Sequence, residues 1–257
     1  MIYLSEMIEV YKTQNLDYKL PIALGVGFNF KNYFADLTQL EHIITTGTTG
    51  SGKSVFANDI FVFLTSLFPP SKVRFLLFDF KQVEYYEYGS SPHLKSPVIT
   101  DVSKAFDTLE KLIVEKNERL TSGRSIDEYP YIVAIIDTFS DWIYSDRTRF
   151  ETLFATFMSD AARARIHVVM CDSRMSLTTF TPKILSLFPT KIAFNTVDFR
   201  SSNDFFGYGG ANVLVGQGDM LFSERNQPPI RLQAPMVTDN EIQESINKAR
   251  ELDDHGK

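Results

Sequence analysis

The sequence predicts an α/β fold in which a mostly parallel sheet is flanked by helices. Three observations carry this expectation. Short apolar runs alternate with amphipathic stretches along the chain. Two of the apolar runs, Val73–Asp79 and Tyr131–Asp137, end in a carboxylate. A third, His42–Thr46, runs into a glycine-rich turn and then into an amphipathic segment. Polar residues at the C-terminal ends of several strands place a ligand site there, where open α/β sheets bind their ligands.

In chain order, Leu20–Val26 and Asn29–Asp36 read as an entry hairpin, so residues 1–40 are expected to form an N-terminal hairpin extension of a single domain spanning 1–257. His42–Thr46 is a buried strand followed by a helix over Lys53–Leu67, which Pro69-Pro70 stop. Val73–Asp79 is a second strand. Asp101 or Ser103 can cap a helix to about Leu120, with Phe106, Leu109, Leu112 and Ile113 at helical spacing. Tyr131–Ile136 is a third strand ending at Asp137, and Phe150–Ala164 is expected to be helical. His167–Cys171 and Lys191–Phe194 are short strands. Met220–Ser223 and Ile230–Gln233 are expected to pair as a hairpin. Asp239 is read as the cap of a last helix, Glu241–Leu252.

Composition bounds the function. The 257 residues are 44% hydrophobic and 23% charged, enough for a large core and unlike a disordered chain. The net charge of −6, from 26 basic and 32 acidic residues, argues against a broad DNA-coating surface, though not against a few phosphate contacts. Cys171 is the only cysteine, so no internal disulfide or cysteine cluster forms, and a cytoplasmic location is expected. No apolar run reaches the roughly 18 residues that a bilayer requires, and Met1–Lys12 lacks the pattern of a signal peptide. Any membrane recruitment is expected through a partner or a segment outside this chain.

The chemistry concentrates in Gly47-Thr48-Thr49-Gly50-Ser51-Gly52-Lys53-Ser54, a full match to G-x-x-x-x-G-K-[ST] between a strand and a helix. Glycines let successive backbone N–H groups point inward, and together with the helix N-terminus these donors hold phosphates. Lys53 can reach the β- and γ-phosphates, and the Ser54 hydroxyl can ligate magnesium. Asp137, at the end of an apolar strand, is the second oxygen donor for that ion. The expected ligands are ATP and Mg2+.

The chain resembles the motor domain of the FtsK/SpoIIIE family of double-stranded DNA translocases, from about Leu20 to Ala249. The likeness rests on the segment from Glu41 through the phosphate loop to Val55, on Phe78–Glu84 and on Pro92-His93-Leu94. It extends to Val98–Asp101, Ile166-His167, Pro189–Phe194 and Gly216–Leu221. The resemblance implies a RecA-like P-loop NTPase fold, a hexameric homo-oligomeric ring, ATP between subunits and double-stranded DNA driven through the channel.

Three positions depart from the family pattern. Thr138 stands where a glutamate orients and activates the attacking water, and a threonine hydroxyl cannot take its proton near neutral pH. Asp172-Ser173-Arg174-Met175 replaces Thr-Gln-Arg-Pro, so Ser173 stands for the γ-phosphate-sensing glutamine. Ser201-Ser202-Asn203 replaces Asp-Ser-Arg, removing an arginine, although Arg200 is close by. Asp172 is one candidate to supply the missing carboxylate. Asp79 reads either as a further site carboxylate or as a turn residue. Arg163, Arg165 and Arg174 are candidates to reach a neighbour's nucleotide, or are solvated charges. His42 and His93 read as structural, Trp142 as packing a helix start, and Tyr85, Tyr86 and Tyr88 with Glu84 and Glu87 as an interface, core packing or a solvated loop.

The loops Thr121–Glu128 and Leu177–Lys183 are the candidates for DNA contact, through Arg124, Thr178, Thr179, Thr181 and Lys183. The leading expectation is an ATP-driven DNA translocase with slowed hydrolysis. The alternatives are a degenerate ATP-binding assembly subunit and a motor like those of type VII secretion.

Overall fold

The computed structural model describes residues 2–173 and 176–254. Among them are the strands β1 (Pro21–Val26), β2 (Asn32–Asp36), β3 (Ile43–Thr46), β4 (Val73–Asp79), β5 (Tyr131–Asp137), β6 (Ile166–Asp172), β7 (Thr190–Ala193), β8 (Asp219–Glu224) and β9 (Ile230–Gln233). They form one sheet in the order β2-β1-β9-β8-β7-β3-β6-β5-β4. The five strands β7-β3-β6-β5-β4 are parallel. Their near-continuous apolar sequences suit strands covered on both faces. The other four extend the sheet as an antiparallel wing. Its two short reversals, at 27–31 and 225–229, can join only antiparallel neighbours. Through β9 the wing ties the N-terminal hairpin to the parallel core.

The helices are α1 (Leu4–Thr13), α2 (Leu37–Leu40), α3 (Lys53–Leu67), α4 (Val102–Thr121), α5 (Ser140–Ser145), α6 (Arg147–Met158), α7 (Pro182–Leu185), α8 (Phe199–Phe206) and α9 (Asp239–Asp254). They divide the core between the two faces of the sheet. On one face Leu4 and Met7 of α1, Phe56, Ile60 and Phe63 of α3, and Ile246 of α9 pack together. On the other, Phe106 and Leu109 of α4, Trp142 of α5 and Phe150 and Phe154 of α6 form the second cluster. Trp142 is fully buried and stacks on Phe78 at 5.4 Å, with Phe150 at 5.1 Å and Phe106 at 5.6 Å edge-on.

Local caps set several boundaries. Asp101 accepts from the Ser103 and Lys104 amides and starts α4 as expected. Two expectations are corrected. The helix foreseen over Phe150–Ala164 begins earlier, because the Asp146 carboxylate accepts from the Arg149 amide, and ends at Met158. The last helix is capped by Thr238, not Asp239. The Thr238 hydroxyl accepts from the Glu241 amide at 3.3 Å while Glu241 accepts from the Thr238 amide at 2.8 Å, a reciprocal capping box.

His42, just before β3, and His167, in β6, have ring centres 6.2 Å apart. The His42 Nδ1 accepts from the Val168 amide at 3.2 Å, and the His167 Nδ1 donates to the Glu41 carbonyl at 2.8 Å. Burial lowers the pKa of His42 to about 3 and that of His167 to about 4. Both rings are neutral when folded and titrate near 6.5 when unfolded, so unfolding takes up protons as the pH falls below 6.5. Each ring is expected to cost about 2 kcal/mol of stability between pH 7 and pH 5. Asp137 and Asp59, whose carboxyls are raised by burial, work in the opposite direction. The histidine share is therefore the difference between the wild type and His42→Gln or His167→Gln in urea denaturation at the two pH values. An unchanged pH dependence in both variants would contradict it.

Candidate functional site

β3 is buried along its whole length and delivers the chain to a loop over Gly47–Gly52, from which α3 starts at Lys53. The register of the parallel strands sets Thr46 beside Asp172, Cys171 beside Asp137, and Asp137 beside Asp79. One rim of the sheet therefore holds the loop and three carboxylates.

The loop is held in shape by contacts from two distant segments. The Thr48 amide donates to the Asn195 carbonyl at 2.7 Å, and the Gly218 amide to the Ser51 carbonyl at 2.9 Å. Gly52 has φ +119°, and a Cβ there would stand 2.8 Å from the Gly218 nitrogen. Glycine is required both by this conformation and by that close approach. The Ser51 hydroxyl is buried with no partner among the described residues, an orphaned polar group that a phosphate oxygen suits.

Lys53 is 7% exposed. Its ammonium donates to the Gly47 carbonyl at 2.8 Å and the Thr48 carbonyl at 2.9 Å. An ammonium has three donors, so two hold the lysine over the loop and the third remains for a phosphate. Burial lowers its pKa, while Cys171, Asp137 and Asp172 oppose the shift. Ser54 lies in the first turn of α3, followed by Val55. Thr49 and Gly50 form the exposed crest of the loop.

Asp137 closes β5. Burial raises its pKa to about 6, the Thr138 hydroxyl bond lowers it, and Glu84 and Asp79 raise it further. Thr138 sits at φ +53°, a left-handed conformation uncommon for a β-branched residue. Its hydroxyl donates to Asp137 Oδ2 at 3.0 Å. It is a positioning partner of Asp137.

Asp172, expected as a stand-in base, is buried at 1% exposure, and its Oδ2 accepts from the Ser140 amide at 2.8 Å. The bond anchors the start of α5, and the Asp172 charge acts on Lys53 from the end of β6. Ser173 follows, partly exposed, and Arg174 lies outside the described residues. Asp79 is also tied down, accepting from the Glu84 amide at 2.8 Å and the Tyr85 amide at 3.1 Å. Arg163 pairs with Asp160, and Arg165 pairs with Asp127 and lies over the Tyr131 ring.

A cavity of about 740 Å3 opens beside the loop, within the range of small-molecule sites. Gly50, Gly52, Lys53, Ser54 and Val55 form one wall, and Glu84 lines it as well. The opposite wall comes from Val215–Gly218 and Gln233–Val237, with Ile2. Those wall residues were not among the expected ligand contacts. The one local sign of them was the glycine pair Gly216 and Gly218 before β8.

The two candidate DNA loops do not meet. Arg124 precedes β5, at the N-terminal end of the parallel strands, whereas 177–183 follow β6 at the other end. Seven residues of strand separate these ends, about 20 Å. Arg124 pairs with Glu128 at 3.1 Å and lies over Tyr129. Thr178 is exposed, and Lys183 sits 3.5 Å from Glu151 at the start of α7. Thr181 accepts from the Ile184 amide as the cap of that helix. Thr179 is corrected as a contact: it is fully buried, with its hydroxyl bonded to that of Tyr144 at 2.7 Å.

A strand, a glycine loop, a lysine-led helix and a carboxylate on the next strand but one define a P-loop NTPase domain of RecA-like architecture. The FtsK/SpoIIIE family model matches residues 3–122. DNA translocase SpoIIIE of Bacillus subtilis is 31% identical over 271 residues, covering 96% of this chain and 34% of that protein. DNA translocase SftA of the same organism is 35% identical over 270 residues, covering 97% of this chain and 28% of its own length. The chain belongs to the FtsK/SpoIIIE family, and it spans about a third of the curated relatives it matches. Among solved structures, the pCW3 conjugation coupling protein TcpA, in a monomer form with ATPγS, has a TM-score of 0.78 at 23% identity, over 92% of this chain and 71% of that one. The cytoplasmic domain of the type VII secretion ATPase EccC of Thermomonospora curvata also has a TM-score of 0.78, at 16% identity, over 92% of this chain and 32% of that one. These two likenesses establish the fold. Among the described residues, no helix is long and apolar enough to cross a membrane.

Proposed function

We propose that residues 1–257 form one motor domain that binds ATP with magnesium and hydrolyses it to move double-stranded DNA within a homo-oligomeric, hexameric ring. The observation that carries this reading is a complete phosphate loop, braced from two sides, beside the buried carboxylate of Asp137, in a chain 31% identical to DNA translocase SpoIIIE. The loop amides and Lys53 hold the phosphates. The apolar side of the cavity, with Val55, Val215, Pro235, Met236 and Val237, takes the base. The Ser54 hydroxyl and Asp137 carboxylate are hard oxygen donors that fit Mg2+, which when bound neutralises phosphate charge. Thr178 and Lys183 contact DNA phosphates without reading sequence. Recruitment to a membrane, where it occurs, is through a partner or a segment outside these residues.

The test is steady-state ATP hydrolysis with and without linear duplex DNA. The expected result is turnover stimulated by DNA. ATP retained with no turnover in either condition overturns the motor reading. That outcome favours the second reading, a degenerate ATP-binding assembly subunit, which the Thr138 hydroxyl bonded to Asp137 in place of a glutamate supports.

A further inference from the structure

We propose that Glu84, on the loop after β4, is the general base that takes the proton of the attacking water in this chain. The inference deepens the ATPase reading and rests on it. Hydrolysis requires a carboxylate within reach of the water, and Thr138 cannot serve. Asp79 is 1% exposed and outside the cavity lining; its Oδ2 accepts two backbone amides, and its Oδ1 is buried without a partner among the described residues. Asp172 accepts the Ser140 amide and is equally buried. Asp137 accepts the Thr138 hydroxyl and is the magnesium carboxylate.

Glu84 differs from all three. It is partly exposed and is the one carboxylate among the described residues lining the cavity that Lys53 and Ser54 also line. Its side chain makes no hydrogen bond or ion pair among the described residues, while its own amide is held by Asp79 at 2.8 Å. The next residue, Tyr85, is 1% exposed and packs edge-on against Tyr88 at 5.8 Å, which fixes the backbone on the far side. The loop is pinned at both sides of Glu84, so the carboxylate faces the cavity on a rigid base. Asp79, which holds the Glu84 amide, is the register partner of Asp137 across β4 and β5, so the loop that carries Glu84 is anchored next to the magnesium carboxylate.

As the water oxygen bonds to the γ-phosphorus, its proton passes to a Glu84 oxygen. The bond from that phosphorus to the bridging oxygen breaks, and its electron pair leaves with ADP. The proton then passes to solvent, restoring the carboxylate.

The experiment compares the wild type, Glu84→Gln and Glu84→Gln with Thr138→Glu. ATP affinity is measured by calorimetry and single-turnover hydrolysis by product release. Glu84→Gln is expected to slow hydrolysis by about 100-fold or more with ATP affinity kept within about threefold, because a neutral isostere leaves the loop contacts intact. Adding Thr138→Glu is expected to recover at least about tenfold, by supplying a second carboxylate next to Asp137. A Glu84→Gln variant hydrolysing at the wild-type rate overturns the role of Glu84 and leaves the ATPase reading standing. A wild-type chain that binds ATP without turnover overturns both.

Discussion

Lys53→Ala is expected to weaken ATP binding by about 10- to 100-fold, the worth of a lost charge-assisted hydrogen bond. Any turnover is expected to fall by a further factor of about 100 or more, because the same group faces the phosphoryl oxygens as charge moves onto them. The geometry makes this more than a charge deletion. The ammonium is positioned by the Gly47 and Thr48 carbonyls at 2.8 and 2.9 Å, and a methyl group leaves both acceptors without their donor. Lys53→Arg is expected to rescue neither quantity, since a planar guanidinium cannot replace a compact ammonium between two converging carbonyls. Calorimetric titration with ATP and magnesium, alongside hydrolysis rates, checks both variants. Wild-type affinity in Lys53→Ala would remove the phosphate loop from the account.

Much of this site was legible in the sequence because it is local. Eight contiguous residues fix the loop, an apolar run fixes β3, and the strand-end Asp137 needs only its own strand to be recognised. The parts that were not legible depend on contacts between distant residues. The far wall of the cavity comes from 215–218 and 233–237, more than 160 residues after the loop, and no local pattern links them. Asp172 is legible as a carboxylate that ends β6, but its bond to the Ser140 amide depends on another segment. Thr179 looked exposed because it lies in a loop, and Tyr144 buries it. α1 carries Leu4, Met7 and Ile8 at helical spacing, too short a stripe among polar residues to stand out. At α9, Thr238 and Asp239 are both competent caps, and the position of Glu241 selects Thr238. Glu84 belonged to a family-like segment, but nothing in its neighbours signalled that it lines the cavity beside the phosphate loop.

Gly52→Ala should separate the two demands made on the loop, its backbone conformation and its close approach to a second segment. At φ +119° an alanine is strained, and its Cβ would press against the Gly218 nitrogen and Cα at 2.8 and 2.9 Å. Backbone cannot rotate aside as a side chain can, so the loop must leave its phosphate-binding shape or displace residues 216–218. Restoring that shape on binding costs about 1–3 kcal/mol, an expected loss of about 10- to 100-fold in ATP affinity. Gly50 is the internal comparison. Its φ is +77°, and a Cβ there meets nothing within 4 Å. Gly50→Ala therefore carries only the left-handed penalty of about 1–2 kcal/mol, and its affinity loss is expected to be smaller than that of Gly52→Ala. Neither glycine supplies core packing, so both variants should still unfold cooperatively, with the midpoint lowered by about a few degrees. Equal losses at the two positions would show that conformation alone governs the loop. A Gly52→Ala protein with wild-type affinity would show that the brace from Gly218 does not shape the site.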